Sequence, residues 1–155
     1  MESDTRAGDN VGDEFYRSHR DELLRYATAL VGPSDAADVV SRVVVRLVSG
    51  RGHRVRDLRA YAMKAVLNES RSWLRRRRPF SLDDSDTSTF DPEPMPEVVT
   101  EVMRLPVRQR AAIYLVYWLG MSPSEAAGVM GVKPGTARRY LHLARNRLKE
   151  VLGDE

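Results

Sequence analysis

The stretch from Ser122 to Leu152 admits essentially one shape, two helices joined by a tight turn, and the rest of the chain has to be read around it. Ser122 with Glu125 is a capping-box pair, Pro123 suits a first helical position, and Gly131 after Met130 ends a short helix at a residue that tolerates positive φ. A second helix starts near Lys133 and Pro134. Along it Ala137, Leu141, Ala144, Leu148 and Val151 recur at helical spacing as an apolar stripe, while Arg138, His142, Arg145 and Lys149 make a cationic one. One face packs and the other is basic. That geometry suits the major groove of DNA, although a charged helix face is in many proteins no more than a solvated one.

The preceding sequence reads as helical throughout. Residues 1–12 are polar and without period, so a disordered leader is predicted. From Asp13 a helix is predicted through Phe15, Leu23, Leu24, Ala27, Leu30 and Val31, with a weak joint near Ser18 and a stop at Gly32-Pro33. Ser34 and Asp35 are read as caps of a second helix with Ala36, Val40, Val43, Val44 and Leu47 inward. Its valine content would suit a strand, but the caps and the lack of strict alternation favour helix. Ser49 to Arg56 is a loop of glycine and base, with Arg51, His53, Arg54 and Arg56 able to meet phosphate.

Asp57 caps a third helix running to about Arg77. Its inward positions are Leu58, Ala62, Ala65, Val66 and Trp73, and its outward stripe is Tyr61, Lys64, Asn68, Arg71 and Arg75. An aromatic, an amide and several cations in line can stack bases, bond their edges and neutralise phosphates, as single-stranded nucleic acid requires. The run from Arg75 to Arg78 repels itself and asks for an anion nearby, or else merely favours the helix dipole.

Residues 80–96 hold five acids, three prolines ahead of Glu97 and no base, which is the composition of a flexible acidic linker. The fold predicted is therefore all-α, two small helical domains over 13–79 and 97–155 joined by that linker. In the second, Glu97 opens a short helix, Leu105-Pro106 restarts the chain, and Ala111 to Leu119 is apolar almost all round. Tyr114, Tyr117 and Trp118 are accordingly assigned to the core.

Composition narrows the function classes. Basic residues exceed acidic ones by only three, 25 against 22, but arginine is segregated into particular segments. With no cysteine, disulfides, thiolate chemistry and cysteine-ligated zinc are excluded. His19, His53 and His142 are scattered, no carboxylate pair has metal or nucleophile spacing, and neither metal, cofactor nor catalysis is expected. No apolar run would span a bilayer and no signal-peptide order is present, so a soluble cytoplasmic protein with no membrane partner is expected.

Two helical modules, the first ending in an aromatic and arginine-bearing helix and the second in a helix-turn-helix, resemble the sigma-70 family of bacterial RNA polymerase sigma factors, in the layout of its extracytoplasmic-function (ECF) group. Asp35-Ala-Ala-Asp-Val-Val with Arg46-Leu47 looks like that family's polymerase-binding helix of region 2. Arg59-Ala-Tyr-Ala-Met-Lys with Asn68 looks like its helix for the minus-ten element. Leu105-Pro106-Val-Arg-Gln-Arg and the run from Gly131 to Arg145 look like region 4, which reads the minus-thirty-five element.

The resemblance implies a factor that binds core RNA polymerase and promoter DNA. Asp35, Asp38, Arg42 and Arg46 would meet the polymerase; Arg51, Arg54, Tyr61, Lys64, Asn68, Arg71 and Arg75 would hold an unpaired minus-ten strand. Arg138, Arg139 and His142 would read duplex bases, with Lys133, Thr136 and Arg145 on the backbone. Exposed apolar surface leaves room for an anti-sigma factor. The chain departs from the family pattern at Ser41-Arg42, where glutamine and an acid are usual, and at Val44, Val48, Leu67, Ser72, Trp73 and Tyr140. A stand-alone helix-turn-helix regulator that binds duplex DNA without polymerase is the alternative, and it leaves Tyr61, Asn68 and the arginine run without a role.

Overall fold

The computed structural model describes residues 2–51, 57–77 and 97–153, with side chains over 13–49, 57–77 and 97–153, and among these residues every regular element is a helix. In chain order they are α1 (Glu2–Val31), α2 (Ala36–Arg46), α3 (Leu58–Arg77), α4 (Glu97–Met103), α5 (Val107–Ile113), α6 (Pro123–Met130) and α7 (Pro134–Leu152). Two end in wider turns: α2 continues as a π turn over Leu47–Arg51 and α5 as another over Tyr114–Trp118. The linker expected over 80–96 and Arg54 lie outside the described residues.

Helix α1 corrects the predicted leader, since it is helical from Glu2 without a joint at Ser18. Once a packed segment has nucleated a helix, extending it needs only propagation, which polar residues support well enough. The Ser18 hydroxyl donates to the Glu14 carbonyl one turn back, so it stays inside the helix without breaking it. Gly32 ends the helix at φ 90°, donating to the Thr28 carbonyl at 2.9 Å.

The first three helices pack through stripes at helical spacing. Leu23, Tyr26, Ala27 and Leu30 of α1 meet Val39, Val40 and Val43 of α2 and Ala62, Met63 and Val66 of α3. Asp57 caps α3 as predicted, accepting from the Ala60 amide at 3.0 Å. Asp35 does stand at the N-cap of α2 but makes no side-chain cap bond, because its carboxylate is drawn to Arg77 at 2.8 Å. Between α1 and α3, Glu22 accepts from Arg59 Nε at 3.0 Å.

That bond from Arg59 holds the Glu22 carboxyl below its ordinary value of 4.5, against the opposing effect of burial. A depressed folded-state pKa contributes stability above the unfolded value, lost as pH falls through the folded one. Thermal melts taken downward from about pH 5 should therefore show a shallower acid loss in Glu22→Gln than in the parent. Both groups are partly solvated, so the difference should stay below about 1 kcal/mol. Identical acid slopes would remove the pair from the account.

The second half is built around α5. Val107, Ala111, Ala112 and Leu115 are buried with Ala126, Val129 and Met130 of α6 and Leu141 of α7 in the same cluster that holds the α1, α2 and α3 residues. The two halves thus share one core. Tyr26 of α1 stacks on Tyr114 across the junction, ring centroids 5.4 Å apart. Buried Arg110, only 1% exposed, donates to the carbonyl of Met103 at the C-terminus of α4 at 2.8 Å, and burial pushes its guanidinium down to about 10.

Tyr117 and Trp118 correct the sequence reading. They are 58% and 73% exposed, not core. The π turn explains it: Leu119 donates to the Tyr114 carbonyl five residues back, and the extra residue in the turn carries Tyr117 and Trp118 off the buried face.

Candidate nucleic-acid interface

The helix-turn-helix forms at the residues that define it in sequence. Ser122 is the N-cap of α6, φ −68° and ψ 158°, and its hydroxyl accepts from the Glu125 amide at 3.1 Å. Gly131 closes α6 at φ 72°, and the Val132 amide bonds the Ala127 carbonyl at 3.0 Å in a Schellman-type end. Lys133 is the N-cap of α7 and Pro134 its first residue. Ser122→Ala should destabilise the fold by about 0.5–2 kcal/mol, measured by urea unfolding, because it removes the cap without changing the exposed surface of α7. A ΔΔG near zero would mean that solvent replaces the hydroxyl fully.

Ala137, Leu141 and Ala144 are buried and Leu148 half-buried, whereas Val151, placed in the same stripe by its spacing, is exposed near the helix end. Lys133, Arg138, Arg139, His142 and Arg145 are exposed, and Thr136 is half-buried at the start of the helix. Arg139, seven residues from Asn146, lies on the face turned away from Ala137 and Ala144. Asn146 was not singled out from the sequence; its Nδ2 is 3.1 Å from His142 Nε2, and the four-residue spacing was the available signal. Arg145 is already engaged, its Nε donating to the Tyr117 hydroxyl and its guanidinium lying 5.3 Å from the centre of that ring. Tyr140, one of the departures from the family pattern, accepts from Arg108 at 3.3 Å and packs half-buried against the core.

The second surface is on α3. Tyr61, Lys64, Asn68 and Arg75 are exposed, Arg71 is half-buried, and all five fall on one side of the helix, with Ala62, Val66, Glu69 and Trp73 on the other. The turn of the helix-turn-helix lies against this stripe: Lys64, Asn68 and Arg71 line a cavity of about 130 Å³ together with Arg108, Met130, Gly131 and Val132. A Cβ on Gly131 would stand 2.7 Å from Lys64 Cε, a contact the flexible end of the lysine can relieve by moving, so it is the backbone angle of φ 72° that requires glycine here. Leu67, another departure, is buried at the same contact. The side chain of Arg51 lies outside the described residues.

Of the polymerase-facing residues expected on α2, Asp38, Arg42 and Arg46 are exposed, while Asp35 is buried against Arg77. Arg42 and Arg46 both turn towards a buried carboxylate, Glu69, and Arg42 lies over the Trp73 indole at 5.2 Å. Glu69 was missed in the sequence, although its helical spacing from Ala62, Val66 and Trp73 marks an inward position.

An apolar groove runs between the halves, about 830 Å³, lined among others by Leu24 and Thr28 of α1, Val98 and Val102 of α4, and Tyr117 and Trp118. Among the described residues no helix is long and apolar enough to cross a membrane, and no three of His, Asp and Glu gather as metal ligands.

Comparison with known proteins gives two family matches, "Sigma-70 region 2" over residues 15–80 and "Sigma-70, region 4" over residues 97–148. The RNA polymerase sigma-E factor of Streptomyces coelicolor is 31% identical over 154 residues, covering 90% of this chain and 85% of the relative. The ECF RNA polymerase sigma factor SigM of Mycobacterium tuberculosis is 31% identical over 157 residues, covering 95% and 80%. Among solved structures, the sigma factor RpoE of Bartonella quintana in complex with the anti-sigma factor NepR superposes with TM-score 0.67 at 23% identity, covering 90% of this chain and 96% of that one. CnrH in complex with the cytosolic domain of CnrY gives 0.65 at 22%, covering 96% and 91%.

Proposed function

We infer, because this chain belongs to the ECF group of the sigma-70 family, how its two halves divide the work of a promoter. It binds core RNA polymerase and directs promoter-specific initiation, the N-terminal domain recognising the minus-ten element and the C-terminal helix-turn-helix the minus-thirty-five element. The observation that carries this is the presence in one chain of two unlike surfaces, a cationic helix shaped for duplex and an aromatic, amide and arginine stripe suited to an unpaired strand.

On α7, Arg138, Arg139 and His142 are the base readers, Arg being the usual partner of guanine O6 and N7, and Asn146 joins them as an amide on the same face. Lys133 and Thr136 at the helix start hold phosphates, where the helix dipole favours an anion. Arg145 serves as a backbone contact oriented by Tyr117. On α3, Tyr61, Lys64, Asn68, Arg71 and Arg75 hold the opened strand, and Arg51 and Arg54 are assigned to the same strand from the sequence alone. Separating base pairs costs about 1–2 kcal/mol per step in stacking, which capture of unstacked bases partly offsets.

The shared core has a mechanical consequence. Elements centred near minus ten and minus thirty-five are separated by roughly 25 base pairs, or about 85 Å of duplex at 3.4 Å per step. Halves packed on each other cannot reach both. The turn at Gly131 also stands where a strand on Lys64, Asn68 and Arg71 would lie. The domains therefore part on the promoter, the polymerase holding them at the required distance. An anti-sigma factor, the kind of partner the solved neighbours carry, would find its purchase on the apolar groove with exposed Trp118, keeping the halves together. The chain acts in the cytoplasm as an initiation factor and leaves catalysis to the polymerase.

Duplex binding with and without core enzyme tests this reading. Promoter DNA should be retained tightly, and with dependence on the minus-ten sequence, only when core polymerase is added. Equally tight binding by the purified chain alone, with no gain from core, would instead identify a stand-alone regulator.

A further inference from the structure

The groove between the halves is apolar, but two of the residues that line it hold polar atoms that no group among the described residues satisfies. Its rim carries exposed Val98 and Trp118, the surface on which a protein partner would rest, and half-buried Leu24, Val102 and Ile113 form its wall. Arg110 lines it too, although it is only 1% exposed. One of its terminal guanidinium nitrogens donates to the Met103 carbonyl at 2.8 Å, while Nε is buried with no acceptor among the described residues. The Tyr114 hydroxyl, on a residue one helical turn further along that also lines the groove, is likewise buried without a partner. Buried donors are nearly always satisfied, so two orphans on neighbouring turns of a groove wall ask for an acceptor.

The charges around the groove decide the sign of the group that fits. No carboxylate among the described residues pairs with Arg110, and burial lowers its guanidinium to about 10, so it still carries its charge at neutral pH. Asp21 and Arg25, also on the groove, are exposed, opposite in sign and one turn apart on α1, so they offset each other. Glu22, which faces Tyr114, is engaged by Arg59 at 3.0 Å. The Met103 carbonyl gives Arg110 a hydrogen bond but no counter-charge. A guanidinium and a hydroxyl that both donate select an anion with acceptor oxygens over an amine, and the aliphatic wall selects an alkyl chain over a sugar or a phosphate ester. At about 830 Å³, with two fixed polar groups on an otherwise apolar lining, the groove has the make-up of a small-molecule site at a domain interface.

We propose that this groove binds an apolar carboxylate, its alkyl chain along Leu24, Val102 and Ile113 and its oxygens on Arg110 Nε and the Tyr114 hydroxyl. Helix α1 forms one wall and α4 with α5 the other, so the bound acid braces the two halves. The bracing has a consequence that rests on the reading of the chain as a sigma factor: halves that part on a promoter are held back by the ligand.

Titration calorimetry of the full chain with decanoate, kept below its micelle concentration, tests the site itself. One molecule should bind per chain, and decanol and decyltrimethylammonium, which share the alkyl chain but not the negative charge, should bind at least about tenfold more weakly. Tyr114→Phe removes a hydroxyl that has no partner, so it should melt as the parent does while losing about three- to tenfold in affinity for decanoate. Ala29→Trp, which fills the groove from α1, should abolish binding. Arg110→Gln should erase the preference for decanoate over decanol, and where either of these two variants fails to melt cooperatively, Tyr114→Phe carries the comparison. Equal binding of all three probes, binding that survives a folded Ala29→Trp, or no binding at all would overturn the proposal. Run-off transcription then tests the bracing: decanoate should lower it in the parent and not in Ala29→Trp, and no inhibition, or inhibition equal in both, would overturn the bracing. A chain that supports no transcription even without decanoate would bring down the sigma-factor reading and leave the calorimetric result standing.

Discussion

Leu115→Ala should lower the free energy of unfolding by about 2–5 kcal/mol, the range for a leucine deleted from a core that relaxes only partly. Leu115 is fully buried in the π turn that follows α5. A loss of that size is a large part of the roughly 5–15 kcal/mol that holds a domain folded. Its form is as informative as its size. Leu23, Tyr26 and Met63 from the first half belong to the same buried cluster as Val107, Leu115 and Met130 from the second. Unfolding followed by circular dichroism should therefore show one cooperative transition that moves as a whole. Two transitions, with only one displaced by Leu115→Ala, would show that the halves are stable separately and that their shared core contributes little.

Arg139→Ala should cost about 1–3 kcal/mol at one base pair of the minus-thirty-five element, or roughly 5- to 150-fold in discrimination there. Arg139 is exposed on the outward face of α7, away from the buried Ala137 and Ala144, so its removal should leave the fold alone. Competition between the promoter duplex and single-position variants measures it directly. An equal loss on every sequence, scrambled DNA included, would reduce Arg139 to a phosphate contact. Arg145→Ala should behave in that second way, because its guanidinium is held by Tyr117 at the edge of the same face.

Local signals carried most of the architecture. Ser122, Gly131, Pro134 and Asp57 act within a few residues of themselves, and caps and turns form where those residues predict them. The stripes of α2, α3 and α7 were legible for the same reason, since helical period alone decides which side is apolar. What was not legible depends on partners distant in sequence or on a change of helical pitch. Tyr117 and Trp118 look like core until a five-residue hydrogen bond turns them outward. The Asp35 carboxylate reads as a cap until Arg77, far along the chain, takes it. Glu69 reads as one acid in a basic helix, and its three arginines converge only when α2 packs on α3. The packing of one half on the other has no local signature either, since it rests on pairs such as Tyr26 with Tyr114.

The division of labour between an opened strand and a closed duplex, joined through a polymerase, meets its most direct test in run-off transcription by core enzyme on a promoter library. Adding this chain should produce transcripts from a single class of promoter defined by both a minus-ten and a minus-thirty-five sequence, with alterations in α3 changing preference at the first and alterations in α7 changing it at the second. Transcript start sites that stay the same whether or not the chain is present would contradict the account.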